Sequence, residues 1–92
     1  MFNVYVGRHG AALEWAKAHG LPSDVQIING NATTTDVAGK VVWGVVPLHL
    51  ASGAAEVHVI EFDSPPRGGE YTVADMERAG ARWGVYVVNK IV

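Results

Sequence analysis

Two short segments carry residues able to handle a phosphate. Arg8 and His9 sit inside Gly7-Arg8-His9-Gly10, between the apolar run Phe2 to Val6 and an alanine-rich stretch. His49 sits in Pro47-Leu48-His49-Leu50, directly after the apolar run Val41 to Val46. An arginine fork beside the free N–H groups of a helix N-terminus makes a phosphate site. Imidazoles, titrating near about pH 6.5, serve as general acid, general base or hydrogen-bond donor. A third segment, Asp63 to Glu70, sets Arg67 among prolines and glycines, in the form of a lid carrying an anion-binding fork. Glu14 and Glu70 are carboxylates able to exchange a proton.

Each of these residues has an ordinary alternative. Arg8 fits an exposed side chain in a tight glycine turn, and His9 fits a helix cap. His49 fits a packing residue between two leucines. Arg67 fits a surface-loop arginine, and Glu14 and Glu70 fit solvated carboxylates. Spacing alone leaves both sets open. Gly7-Arg8-His9-Gly10 lacks the Gly-Lys-Ser/Thr ending of a P-loop and is too short for a dinucleotide fingerprint. No His-x-x-x-His pair appears and there is no cysteine, so neither a metal site nor a thiol nucleophile is expected. His19 closes a helix, where a cation suits the dipole. His58 falls mid-strand and reads as structural. Trp43 and Trp83 read as packing or interface residues rather than base-stacking platforms.

Positioning these residues falls to alternating strands and helices. Phe2 to Val6 reads as a strand and Ala11 to His19 as a helix, stopped by Gly20 and Pro22. Val25 to Ile28 reads as a second strand. Asn29 to Asp36 is polar and turn-prone, with Asp36 offering a cap for one short turn ending at Gly39. Val41 to Val46 has the near-continuous apolar character of a strand buried on both faces. Pro47 suits the first turn of a short helix, Leu48 to Ser52. Ala55 to Phe62 is the next strand. Thr72 with Asp75 resembles a capping box, and Val73, Met76, Ala79, Gly80 and Trp83 fall at helical spacing. Val85 to Val92 favours a strand after Gly84. The expectation is a compact α/β domain over residues 1–92, a mostly parallel sheet flanked by helices. Ligands of such sheets bind outside the carboxyl ends of the strands, where Arg8-His9, His49 and the Asp63–Glu70 loop all fall.

Composition narrows the partners. The 92 residues are 49% hydrophobic and 17% charged, with a net charge of −2, too lean in charge for a disordered tail and not basic enough for coating duplex DNA. No apolar run approaches the roughly 18 residues needed to span a bilayer, and the first residues do not form a signal peptide. A soluble cytoplasmic protein is expected. Low surface charge in so small a domain also favours burial against a second copy.

At this point a family resemblance enters. The segment Val6 to Ala16 resembles the opening of a small type III CRISPR-accessory family, typically Ser-Arg-His-Pro-Gly-Ala followed by an acidic residue and Trp. Gly44 to Ala51 resembles its second signature, Gly-x-Leu-Pro-x-His-Leu-Ala. Pro65 to Tyr71 resembles its Arg-Gly-x-Glu-Leu loop, and Met76 to Trp83 its closing helix. Such proteins are similar to ring nucleases, which remove the cyclic oligoadenylate messengers of type III CRISPR defence. The resemblance implies a Rossmann-like domain acting as a dimer, and cleavage without metal or other cofactor. By motif position, Arg8, His9 and His49 carry over as catalytic. Gly7, Gly10, Glu14, Pro47, Arg67 and Glu70 are expected to contact the ligand. Gly7 stands where the family often has Ser, and Gly10 where it often has Pro. Three functional classes remain: a metal-independent ring nuclease, most simply for cyclic tetra-adenylate; a non-catalytic sponge or sensor for the same messenger; and a structural dimer without nucleotide.

Overall fold

The computed structural model describes residues 2–65 and 71–92. Nine elements follow in order: β1 (Asn3–Val6), α1 (Gly10–Ala18), β2 (Gln26–Ile28), α2 (Thr34–Val37), β3 (Val41–Gly44), α3 (Leu48–Ala51), β4 (Glu56–Glu61), α4 (Val73–Arg78) and β5 (Arg82–Tyr86). The five strands form one sheet in the order β2-β1-β3-β4-β5. β1 through β4 are parallel, while β5 runs antiparallel along β4, pairing Glu61 with Arg82 and Val57 with Tyr86. The chain is therefore α/β with a mostly parallel sheet, as expected. Among the described residues, no helix is long and apolar enough to cross a membrane.

Period-two alternation divides the core between the two sheet faces. Val4, Val6 and Val42 point to one face, where Val37 of α2 and Leu50 of α3 cover them. Tyr5 and Trp43 point to the other, against Ala12, Trp15 and Ala16 of α1 and Met76 of α4. Burial on both sides explains the unbroken apolar runs of β1 and β3. Trp15, 1% exposed, is the largest fully buried side chain, and its Nε1 has no hydrogen-bond partner among the described residues. His58 is structural, as expected: its ring stacks on Trp43 at 3.9 Å and its Nε2 lies 2.5 Å from Glu56 Oε1.

Four local expectations are corrected. Thr33, rather than Asp36, is the N-cap of the turn after β2; Asp36 stands at the third helical position and completes a capping box. β3 ends at Gly44 instead of Val46. The stripe ending at Trp83 is not one helix, because α4 stops at Arg78 and Trp83 lies on β5. Gly80 causes the stop: at φ +78° it closes a Schellman motif, with its own N–H donating to Glu77 O and the Ala81 N–H to Met76 O. The last strand accordingly starts at Arg82, before Gly84, and ends at Tyr86, leaving 87–92 outside regular structure.

Thr72 and Asp75 do form a reciprocal capping box, with Thr72 N–H donating to Asp75 Oδ2 at 2.9 Å and Asp75 N–H to Thr72 Oγ1 at 3.1 Å. The Thr72 N–H, the largest cause, holds the Asp75 carboxyl below its ordinary 3.8. A lowered carboxylate stabilises the fold above its unfolded value, and that contribution fades as pH falls below about 4.

Gly10 opens α1 at the position where proline is favoured, a Cβ there meets nothing within 4 Å, and its N–H makes no internal hydrogen bond among the described residues. Gly10→Pro is therefore expected to stabilise the domain by about 0.4–1 kcal/mol through the unfolded chain. Thermal unfolding would then rise by roughly 2–8 °C, whereas a fall would place the Gly10 backbone outside proline's range.

Candidate functional site

Because β1 to β4 are parallel, the segments that follow them emerge at one edge of the sheet. β1 passes into α1 on one face, and β3 passes through Pro47 into α3 on the other. Diverging connections from adjacent strands leave a crevice between them, the switch point at which α/β sheets hold ligands. A cleft of about 600 Å³ occupies this place. Gly7, Arg8 and His9 line it from the β1 side, and Val45, Pro47 and His49 from the β3 side. Gly30 to Ala32 close it after β2, Tyr71 overhangs it, and Tyr5 and Leu50 contribute to its inner lining.

Local backbone chemistry builds each wall. Gly44, at φ +110°, turns the end of β3 against β1, where a Cβ would lie 2.2 Å from Val6 O. Past it, Val45 N–H donates to Val6 O at 3.0 Å, so the two walls are tied at their base. Pro47 caps α3 through its carbonyl, which accepts from Leu50 N–H at 3.0 Å and Ala51 N–H at 2.9 Å. α3 then buries Leu50 and Ala51 and leaves Leu48 and His49 outside. His49 is thus an exposed cleft residue and not the packing residue that its leucine neighbours allow.

His9 takes the capping role that the sequence allowed and also lines the cleft. It is the N-cap of α1, and its Nδ1 accepts from Ala12 N–H at 3.3 Å. Its ring stacks on Tyr71 at 4.1 Å. Accepting at Nδ1 puts the proton of the neutral ring on Nε2, so His9 keeps a donor and has no free lone pair. The same cap leaves the Gly10 and Ala11 N–H groups without internal partners among the described residues.

The electrostatics favour an anion. Arg8 is exposed, and the ion pairs among the described residues do not include it. Its Nη2 lies 3.9 Å from where a Gly30 Cβ would stand, over the turn after β2. No carboxylate lines the cleft among the described residues, so the local charge opposes the −2 of the whole chain.

Gly7, Arg8, His9, Pro47 and His49 therefore come together, as the strand order implies. Gly10 begins α1 beside them without lining the cleft, and Glu14, a turn further along and exposed, is also outside the lining. Arg67 and Glu70 lie outside the described residues. Among the described residues no three His, Asp or Glu side chains group closely enough to hold a metal ion. Sequence reasoning missed Tyr5 and Tyr71. Tyr5 had a usable signal: alternation opposes it to Val4 and Val6, one residue from the strand end.

Comparison with known proteins comes to one finding. A family model described as "Putative CRISPR-associated protein (Cas_VVA1548)" matches residues 4–89. No curated protein and no solved structure matches the chain.

Proposed function

The chain belongs to this CRISPR-associated family, and from that premise we propose that it is a metal-independent ring nuclease, binding and linearising cyclic oligoadenylate, most simply cyclic tetra-adenylate. The observation that carries the reading is the cleft at the switch point, which sets Arg8 and two histidines around a space without carboxylates. The sheet order, with its diverging connections beside β1 and β3, supports the Rossmann-like reading that goes with it.

Each 3′–5′ phosphate of such a ring has a ribose 2′-hydroxyl beside it. In the proposed reaction the 2′-oxygen loses its proton and attacks phosphorus in line with the 5′-oxygen. The bond from phosphorus to the 5′-oxygen breaks, and that oxygen takes up a proton. The product is a linear chain with a 2′,3′-cyclic phosphate and a 5′-hydroxyl, and no water or metal enters the balance. Arg8, beside the N-terminus of α1, holds the non-bridging oxygens as negative charge grows on them. His9, with Nδ1 committed to the cap, donates from Nε2 and orients. His49, exposed at the cleft, moves the proton.

A two-fold dimer presents the same groups twice to a ligand that itself has two-fold symmetry. Val45 and Leu48, 73% and 75% exposed beside the cleft, supply apolar surface for such pairing. One ring per two chains is the expected stoichiometry in a titration, with a dimer mass by light scattering. A monomer binding one ring per chain would contradict the shared site.

Arg8 gives the direct binding test. Arg8→Ala is expected to weaken cyclic tetra-adenylate binding by about 10- to 150-fold, since a hydrogen bond to a charged group contributes about 1.5–3 kcal/mol. Arg8→Lys recovers only part of that, lacking the fork. Unchanged affinity in Arg8→Ala would remove the phosphate from this wall.

A further inference from the structure

The inner lining of the cleft contains a polar group that the mechanism above does not use. Tyr5 is 1% exposed, its ring packed in the core beneath α1. Two glycines leave room for that ring. A Cβ on Gly7 would stand 3.2 Å from Tyr5 Cε1 and 3.4 Å from its hydroxyl, and a Cβ on Gly44 would stand 3.3 Å from Cε2. The hydroxyl end thus lies under Gly7, beside Arg8, where Tyr5 lines the cleft.

That hydroxyl makes no hydrogen bond among the described residues, although Trp43, on the neighbouring strand, donates to Asn3 Oδ1 at 3.0 Å. Among the described residues the sealed side-chain polar atom without a partner is Trp15 Nε1, not this oxygen, which opens to the cleft. Burial, and secondarily the nearby Tyr71, push the Tyr5 phenol above its ordinary value of 10.0, so it stays protonated and available as a donor. An unpaired O–H in a cleft that holds no carboxylate among its described residues is matched by an anionic oxygen.

We propose that the Tyr5 hydroxyl is a phosphate-binding donor, reaching the ligand through the opening left by the missing side chain at Gly7. It is a positioning residue: it fixes a non-bridging oxygen between itself and Arg8 and exchanges no proton with the ligand. The inference rests on the cleft holding a phosphodiester.

Tyr5→Phe removes the hydroxyl and keeps the ring. Its melting temperature is expected to match the parent, while cyclic tetra-adenylate binds at least about tenfold more weakly, as for a lost bond to a charged group. Binding by Tyr5→Phe equal to the parent overturns the proposal and leaves the nuclease reading standing. If the parent binds no cyclic oligoadenylate, that reading falls, and inorganic phosphate, titrated against both proteins by ³¹P line broadening, decides for Tyr5. Weaker phosphate binding by Tyr5→Phe supports the donor, and equal binding or none to either protein overturns it.

Discussion

Replacing His49 with Ala is expected to lower turnover of cyclic tetra-adenylate by about 100- to 10,000-fold, the span typical of a lost general acid or base. Affinity and melting temperature should stay near those of the parent. The split follows from place: His49 is exposed on α3, whose buried residues are Leu50 and Ala51. Exposed side chains without structural contacts change stability by no more than about 0.5 kcal/mol. His9 should behave differently. His9→Ala removes the cap of α1 and should cost about 0.5–2 kcal/mol of stability along with activity. His9→Asn, keeping a capping oxygen, should recover stability but not turnover. Steady-state rates on folded protein, read beside melting curves, separate the two histidines. A fall in His49→Ala that tracks only the folded fraction would make His49 a packing residue.

Gly44→Ala is expected to destabilise the protein strongly. Two costs add at this position. The φ of +110° is one that residues with a Cβ rarely adopt, and the new Cβ would lie 2.2 Å from the Val6 carbonyl oxygen. Backbone strain of this kind costs about 1–3 kcal/mol, and the clash is with another strand's backbone, which cannot rotate away. A loss of about 3 kcal/mol or more takes a large share of the roughly 5–15 kcal/mol that holds a domain folded. The thermal midpoint should drop by at least about 12 °C. Gly53→Ala is the control: its Cβ meets Leu50 O at an ordinary 3.5 Å, and the midpoint should barely move. Equal midpoints for the two variants would mean that β1 and β3 are not tied as described. Gly44 is thus explained by backbone geometry at the base of the cleft.

Most of the element order was legible because each element has strong punctuation. Gly7 ends β1 and Gly10 opens α1, Gly20 and Pro22 close α1, and Pro47 opens α3. The α4–β5 junction was not legible. Trp83 lies seven residues beyond Met76, so the helical stripe runs through it, and only the left-handed Gly80 shows that the chain turns. The walls of the cleft were legible as strand ends, because parallel strands put their following segments at one edge. Its inner lining was not. Alternation sets Tyr5 on the face opposite Val4 and Val6, near the strand end, but does not by itself separate a buried phenol from one whose hydroxyl opens into a cleft. The sequence allowed His9 to be a cap or a ligand residue, and its Nδ1 contact with Ala12 shows the cap, with Nε2 left uncommitted by it.

The central claim is tested most directly by incubating the purified protein with cyclic tetra-adenylate in EDTA and separating the products by chromatography coupled to mass spectrometry. The expected result is linear oligoadenylate ending in a 2′,3′-cyclic phosphate, formed at the same rate with and without chelator. Ring recovered intact but bound would make the protein a sponge. Cleavage that stops in EDTA and returns with a divalent ion, or no binding at all, would contradict a metal-independent ring nuclease.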